Sequence, residues 1–105
     1  MLDIQKEFLR RGVLRGGVFV LLPDDAIELV RRCKEVGIEI LGADAFRITD
    51  KNTQPDMAND LRTPVPRETC WSLATAHLEK YIGSGFFFEV VCHEPHRKID
   101  PTLRR

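Results

Sequence analysis

No two cysteines in this sequence stand at Cys-x-x-Cys spacing, no apolar run is long enough to cross a bilayer, and neither sign of charge is in excess. Each absence excludes something. Cys33, Cys70 and Cys92 are odd in number and widely separated, which argues against a secreted disulfide framework and against a zinc ribbon, and suits a reducing cytoplasm. The early apolar run Val18-Phe19-Val20-Leu21-Leu22 is shorter than a signal-peptide core and has no small-residue cleavage pattern after it. Sixteen basic and sixteen acidic side chains give a formal net charge of zero. That removes the broad positive footprint with which general nucleic-acid binders displace counterions from phosphates. Repeats and low-complexity segments are also missing.

What remains is an ordinary globular composition of 105 residues, 43% of them hydrophobic. A chain of this length buries roughly 60–70% of its unfolded surface, enough for one core without staples and too little for a large cofactor cleft. The reading is a single domain over 1–105, with its core at about 18–92, an arm or short helix over 1–15, and a poorly ordered tail over 94–105.

Within the first segment Ile4 and Phe8 stand at i, i+4, and Arg15-Gly16-Gly17 interrupts the pattern. Pro23-Asp24-Asp25 then forms a helix start, since aspartates accept hydrogen bonds from first-turn amides and complement the helix dipole. Ala26, Leu29, Val30 and Cys33 follow on one face, predicting a helix from about Asp24 to Val36 that Gly37 stops in the left-handed region. Residues 38–48 have the period of a strand, with Ile38, Ile40, Phe46 and Ile48 on one side. Gly42 and the misplaced Asp44 signal a bulge near Gly42 or a break into a hairpin.

Residues 50–67 are polar and punctuated by proline, a loop system with room for one short edge strand. A second helix is expected from Arg67 or Glu68 to Ile82, with Trp71, Ala74, Leu78 and Tyr81 or Ile82 on one face. The run Phe86 to Cys92 is apolar on both alternating sets except at Glu89, the pattern of a central strand buried on two faces. The order predicts an α+β fold: a small, mainly antiparallel sheet with two helices packed on one face.

Catalytic groupings do not assemble. Cys70 and His77 are seven residues apart on one helix, roughly 10 Å along its axis, too far for imidazole to activate the thiol. Gly16-Gly17 and Gly83-Ser84-Gly85 lack the order of a phosphate loop, and Ser84 lacks that of a nucleophile elbow, so these are turn residues. Cys92-His93-Glu94-Pro95-His96 is the one cluster of metal-type ligands. On a continuing strand Cys92 and His93 point to opposite faces, and a strand end running into a polar tail explains the cluster as well. Charge does concentrate elsewhere: between Glu39 and Asp60 there are five acids (Glu39, Asp44, Asp50, Asp56, Asp60) against Arg47 and Lys51. Such a surface steers a basic partner and sets its register. A merely solvated loop has the same composition. Phe46 and Trp71 are the aromatic anchors at hand, although a single tryptophan on a helix face also serves a core.

Gly37-x-x-x-Leu41-Gly42 running into Asp44-x-Phe46, then Gln54-Pro55, Asp60 and Phe87-Phe88-Glu89, resembles a family of bacterial immunity proteins that neutralise polymorphic or contact-dependent toxins, the group catalogued as immunity protein family forty. In element order the chain is also similar to the immunity protein of the tRNA-cleaving colicin. The resemblance covers about residues 24–92. It implies a cytoplasmic inhibitor without catalysis, cofactor or metal, whose partner is a cognate bacterial toxin domain rather than nucleic acid or membrane. In the colicin case the target is an RNase, and acidic residues of the inhibitor stand in for RNA phosphates. Carried to this chain, Asp44, Asp50, Asp56 and Asp60 match that role, with Asp44 and Phe46 at the centre. The alternative is a small metal-dependent or thiol enzyme using Cys92, His93 and His96.

Overall fold

A computed structural model describes residues 2–93. The expected tail from Glu94, and His96 with it, lies outside the described residues. The chain starts with one helical turn, α1 (Asp3–Lys6), whose Ile4, followed by Phe8 in the next turn, enters the core as the i, i+4 spacing predicts. The Arg15-Gly16-Gly17 interruption is the turn of a hairpin, β1 (Val13–Arg15) against β2 (Val18–Val20). Gly16 and Gly17 have φ of 55° and 82°, the positive pair that a two-residue turn needs to match the twist of its strands.

Helix α2 (Pro23–Val36) starts one residue earlier than expected, with proline at its first position. Its cap residue is Leu22, which has no capping side chain, so the aspartates act through their charge near the positive helix end rather than as caps. Asp25 also receives Arg11, which bridges to Glu28 at 2.7 Å, while Arg32 reaches Glu7 at 3.0 Å. These exposed pairs hold the N-terminal segment over α2 and contribute little individually. At the other end Gly37 has φ 79°, its N–H bonds to Lys34 and that of Ile38 to Cys33, a Schellman ending.

Strand β3 (Ile40–Ile48) is the centre of a four-stranded antiparallel sheet. One edge of β3 pairs with β4 (Thr53–Pro55) and β5 (Leu61–Arg62), separated by a 3-10 turn at Met57–Asn59. Its other edge pairs with β6 (Phe87–Cys92), which meets Leu21 beyond it through a single bridge to Phe88. Thus β6 is not the two-sided central strand that its composition suggests. Its burial alternates, with Phe88 and Val90 inside and Glu89 on the opposite face.

The bulge is present, between Ile40 and Gly42. It moves the pleat by one residue, so Ile40, Ala43 and Ala45 face the helices while Gly42, Asp44 and Phe46 face away from them. Strict alternation had placed Phe46 on the side of Ile40; the extra residue separates them. Thr63 fastens the bulge, its hydroxyl donating to the Ile40 carbonyl at 2.7 Å and its N–H to Leu41 at 3.0 Å. Gly42 is glycine because β5 comes so near that a β-carbon would collide with the Leu61 carbonyl.

Helix α3 (Cys70–Glu79) is shorter than its apolar pattern, which continues into turns where Ile82 is exposed. Cys70, Ala74 and Leu78 are fully buried, and Trp71 donates its indole N–H to the Ile38 carbonyl at 2.9 Å. α2 and α3 lie together on the Ala43, Ala45, Phe88 and Val90 face, as the expected architecture requires. Leu29, Leu78 and Phe88 are almost wholly inaccessible, each contributing about 1.5–3 kcal/mol by burial.

Candidate functional site

The face of the sheet turned away from the helices is built by register. Directly opposite residues of antiparallel strands share a face, so the pairs Gly42 with Val91, Asp44 with Glu89, and Phe46 with Phe87 lie in a row, flanked by Arg62 opposite Gly42 and Pro55 opposite Phe46. Two carboxylates thus face each other across the ladder. Like charges in this position destabilise a sheet, and Arg62 is the nearby cation that offsets them, with its Nη1 2.6 Å from Asp44 Oδ1.

That contact is short but poorly directed. Asp44 Oδ1 is closed to solvent and receives no aligned hydrogen bond among the described residues, while Arg62 Nη1 donates to the Leu61 carbonyl at 2.7 Å. The contact with Asp44 holds the Arg62 guanidinium above its ordinary range, with Asp60 and Glu89 adding to the effect. Burial pushes the Glu89 carboxyl up, the Asp44 charge raises it further, and Arg62 only partly opposes them. Among the described residues the group therefore carries more negative charge than Arg62, its one cation, answers. It is suited to receive a guanidinium or ammonium from outside.

Of the five residues expected to face a partner, Asp44 and Phe46 are on this face, both half-buried. Asp50 is exposed in the β3–β4 turn, where Arg15 from the hairpin reaches the Thr49 carbonyl at 2.8 Å. Asp56 and Asp60 are used differently. The Asp56 N–H bonds to the Ala45 carbonyl at 2.9 Å, and Asp60 Oδ1 accepts from the Ala45 N–H at 2.7 Å. Together they satisfy the main chain of β3 in the gap between β4 and β5. The side chain of Asp56 also lies 3.4 Å from Arg47, whose guanidinium stacks on Phe86 at 4.5 Å. Fold therefore occupies Asp60 and much of Asp56, and the acidic window is more neutralised in space than along the chain.

Two participants were not singled out by sequence reasoning. Glu89 had a signal, as the one charged residue in an apolar strand. Arg62 had none, because its partner is 18 positions upstream and only the bulge and β5 bring the two together.

The thiol and metal candidates are also placed. Cys70 is buried and its sulfur accepts from the Ile40 N–H at 3.2 Å, while His77 Nε2 lies 2.8 Å from the Asn59 carbonyl, so the two serve separate contacts. Tyr81 donates to the Asn59 side chain at 2.7 Å, so α3 and the turn that follows it each hold the 3-10 turn at Asn59. Cys92 ends β6 and His93 continues the ladder through its N–H to Glu39. Among the described residues, no group of three His, Cys, Asp or Glu is arranged to hold a metal ion, and no helix is long and apolar enough to cross a membrane. No protein-family model and no curated protein matches the chain.

Proposed function

We propose that this chain is a non-catalytic immunity-type protein that binds and inhibits a basic bacterial toxin domain, a nuclease by class, through the helix-free face of its sheet. The observation that carries the reading is the directly opposed Asp44–Glu89 pair, crowded, half-buried and, among the described residues, answered by Arg62 alone. A basic side chain arriving between the two carboxylates relieves repulsion that the free protein must bear. Phe46 and Phe87 supply apolar area beside it, and Asp50 supplies rim charge for steering. Compared with the sequence expectation, the surface keeps Asp44, Phe46 and Asp50, adds Glu89, and assigns Asp60 to the fold.

The test begins with the adjoining reading frames. A large secreted protein with a separate C-terminal domain should be encoded there, and that domain should form a stable complex with this chain and lose its toxicity when the two are co-expressed. Asp44→Lys and Glu89→Lys should each weaken the complex about 30-fold or more, as expected for a central charged contact worth about 2 kcal/mol. Asp50→Lys should chiefly slow association and alter its salt dependence. Unchanged binding by both central variants would remove the electrostatic basis of the reading.

A further inference from the structure

One pair of nucleophilic side chains lies outside this face. Cys33, in the last turn of α2, and Cys92, the last residue of β6, are 59 positions apart, yet their sulfurs lie 3.8 Å from each other in hydrogen-bond contact. Both backbones are fixed from elsewhere. The Cys33 carbonyl is held by the Ile38 N–H at 2.8 Å in the Schellman ending, and Cys92 is in register with Ile40 on β3. A covalent bond needs the sulfurs to approach by about 1.8 Å, a movement of the size that side-chain rotation supplies.

We propose that Cys33 and Cys92 are a redox-active dithiol that a peroxide converts into a disulfide, tying the end of α2 to the end of β6. Access fixes the order of events. Cys92 is half-exposed and lines a cleft of about 250 Å³ with Gln5, Gly17, Phe19, Glu89 and Val91, whereas Cys33 is fully buried. The Cys92 thiolate attacks one oxygen of hydrogen peroxide, the O–O bond breaks, and a sulfenic acid forms with release of hydroxide. The Cys33 thiolate then attacks that sulfur, the S–O bond breaks, and a second hydroxide leaves. The two thiol protons convert both hydroxides to water, so two thiols and one peroxide give one disulfide and two waters.

The surroundings favour the second step. In the reduced pair the hydrogen bond from Cys92 lowers the Cys33 thiol below its ordinary 9.0 against the opposing effect of burial; that donor is spent in the first step, and the Arg32 charge remains to favour the Cys33 thiolate in the second, with Glu7 opposing it. Cys70 is spared because it is fully buried and its sulfur is occupied by the Ile40 N–H. The bridge closes a long loop containing β3, β4, β5 and α3, so the unfolded chain is restricted far more than the folded one.

The experiment treats the purified full-length chain with a small excess of hydrogen peroxide, then denatures and alkylates it. The expected product takes up one alkyl group, on Cys70, has lost two hydrogen atoms, and yields a Cys33–Cys92 linked peptide. Dithiothreitol should restore three alkylatable cysteines. The oxidised protein should melt about 10 °C or more above the reduced one. Cys92→Ser, at a half-exposed position, should fold and show no peroxide-dependent change in Tm. Three alkylatable cysteines after treatment, a sulfinic acid on Cys92 in place of the bridge, or a bridge that includes Cys70 would each overturn the proposal.

Discussion

Replacing Glu89 by glutamine tests the electrostatic description of the outer sheet face most directly. Asp44 and Glu89 are directly opposed, which places their β-carbons about 5 Å apart and their charges about 6 Å apart. At the dielectric of water that repulsion is about 0.7 kcal/mol. Partial burial adds to it, Arg62 subtracts from it, and the open side of the face screens both. A net cost of about 0.5 kcal/mol for the ionised side chain follows. Because the folded protein raises the Glu89 carboxyl above its ordinary 4.5, it holds the proton more tightly than the unfolded chain. The cost is therefore absent below pH 4.5 and develops as pH rises through the interval up to the folded value. Glu89→Gln should match the parent in urea unfolding near pH 3, and exceed it by about 0.5 kcal/mol at pH 7. Asp44→Asn should shrink the elevation of Glu89 without abolishing it, since burial is its largest cause, and Arg62→Gln should enlarge it. Both shifts are readable from the side-chain carboxyl resonance. A glutamine variant less stable than the parent at pH 7, or a Glu89 that titrates at or below 4.5, would refute the reasoning.

Gly42→Ala should cost about 2 kcal/mol in chemical denaturation, because the added methyl meets the Leu61 main chain rather than a movable side chain; amide shift changes should centre on 61–63. Asp60→Ala should cost about 1–3 kcal/mol and speed hydrogen exchange at the Ala45 amide, whose acceptor it removes. Asp60→Asn keeps an acceptor oxygen and should retain most of that stability.

Local signals were legible in the sequence where a single element determines the outcome. The apolar face of α2, its stop at Gly37 and the bulge at Gly42 all follow from side-chain period and glycine position, and each is found. The β1–β2 hairpin was missed because its strands have only three residues each: Gly16-Gly17 read as turn glycines, but residues 1–15 before them read as an arm or short helix, so Val13-Leu14-Arg15 was not seen as the strand that pairs with Val18-Phe19-Val20. β6 was misread for a different reason: Phe87 and Val91 are apolar yet lie on the outer face with Glu89, and composition does not distinguish a half-buried phenylalanine from a buried one. The site follows the same division. Asp44 was visible as a departure from alternation, whereas Phe46 was read on the side of Ile40 because alternation alone does not count the bulge, and the role of Asp60 depends on a hydrogen bond to Ala45 across 15 positions, for which the linear order has no marker.

The excursion between β4 and β5 has a further consequence for how this surface can change. Its two feet, Asp56 and Asp60, are clamped to one residue of β3, and Asn59 is tethered to α3, while Met57 at the crest is 79% exposed. The crest thus stands on a base that does not depend on its own side chains. Substitutions at Met57 and Ala58 alter what the molecule presents without disturbing what holds it together. A lineage under pressure to recognise a changing partner would find its freedom there, on a short ridge whose foundations are fixed.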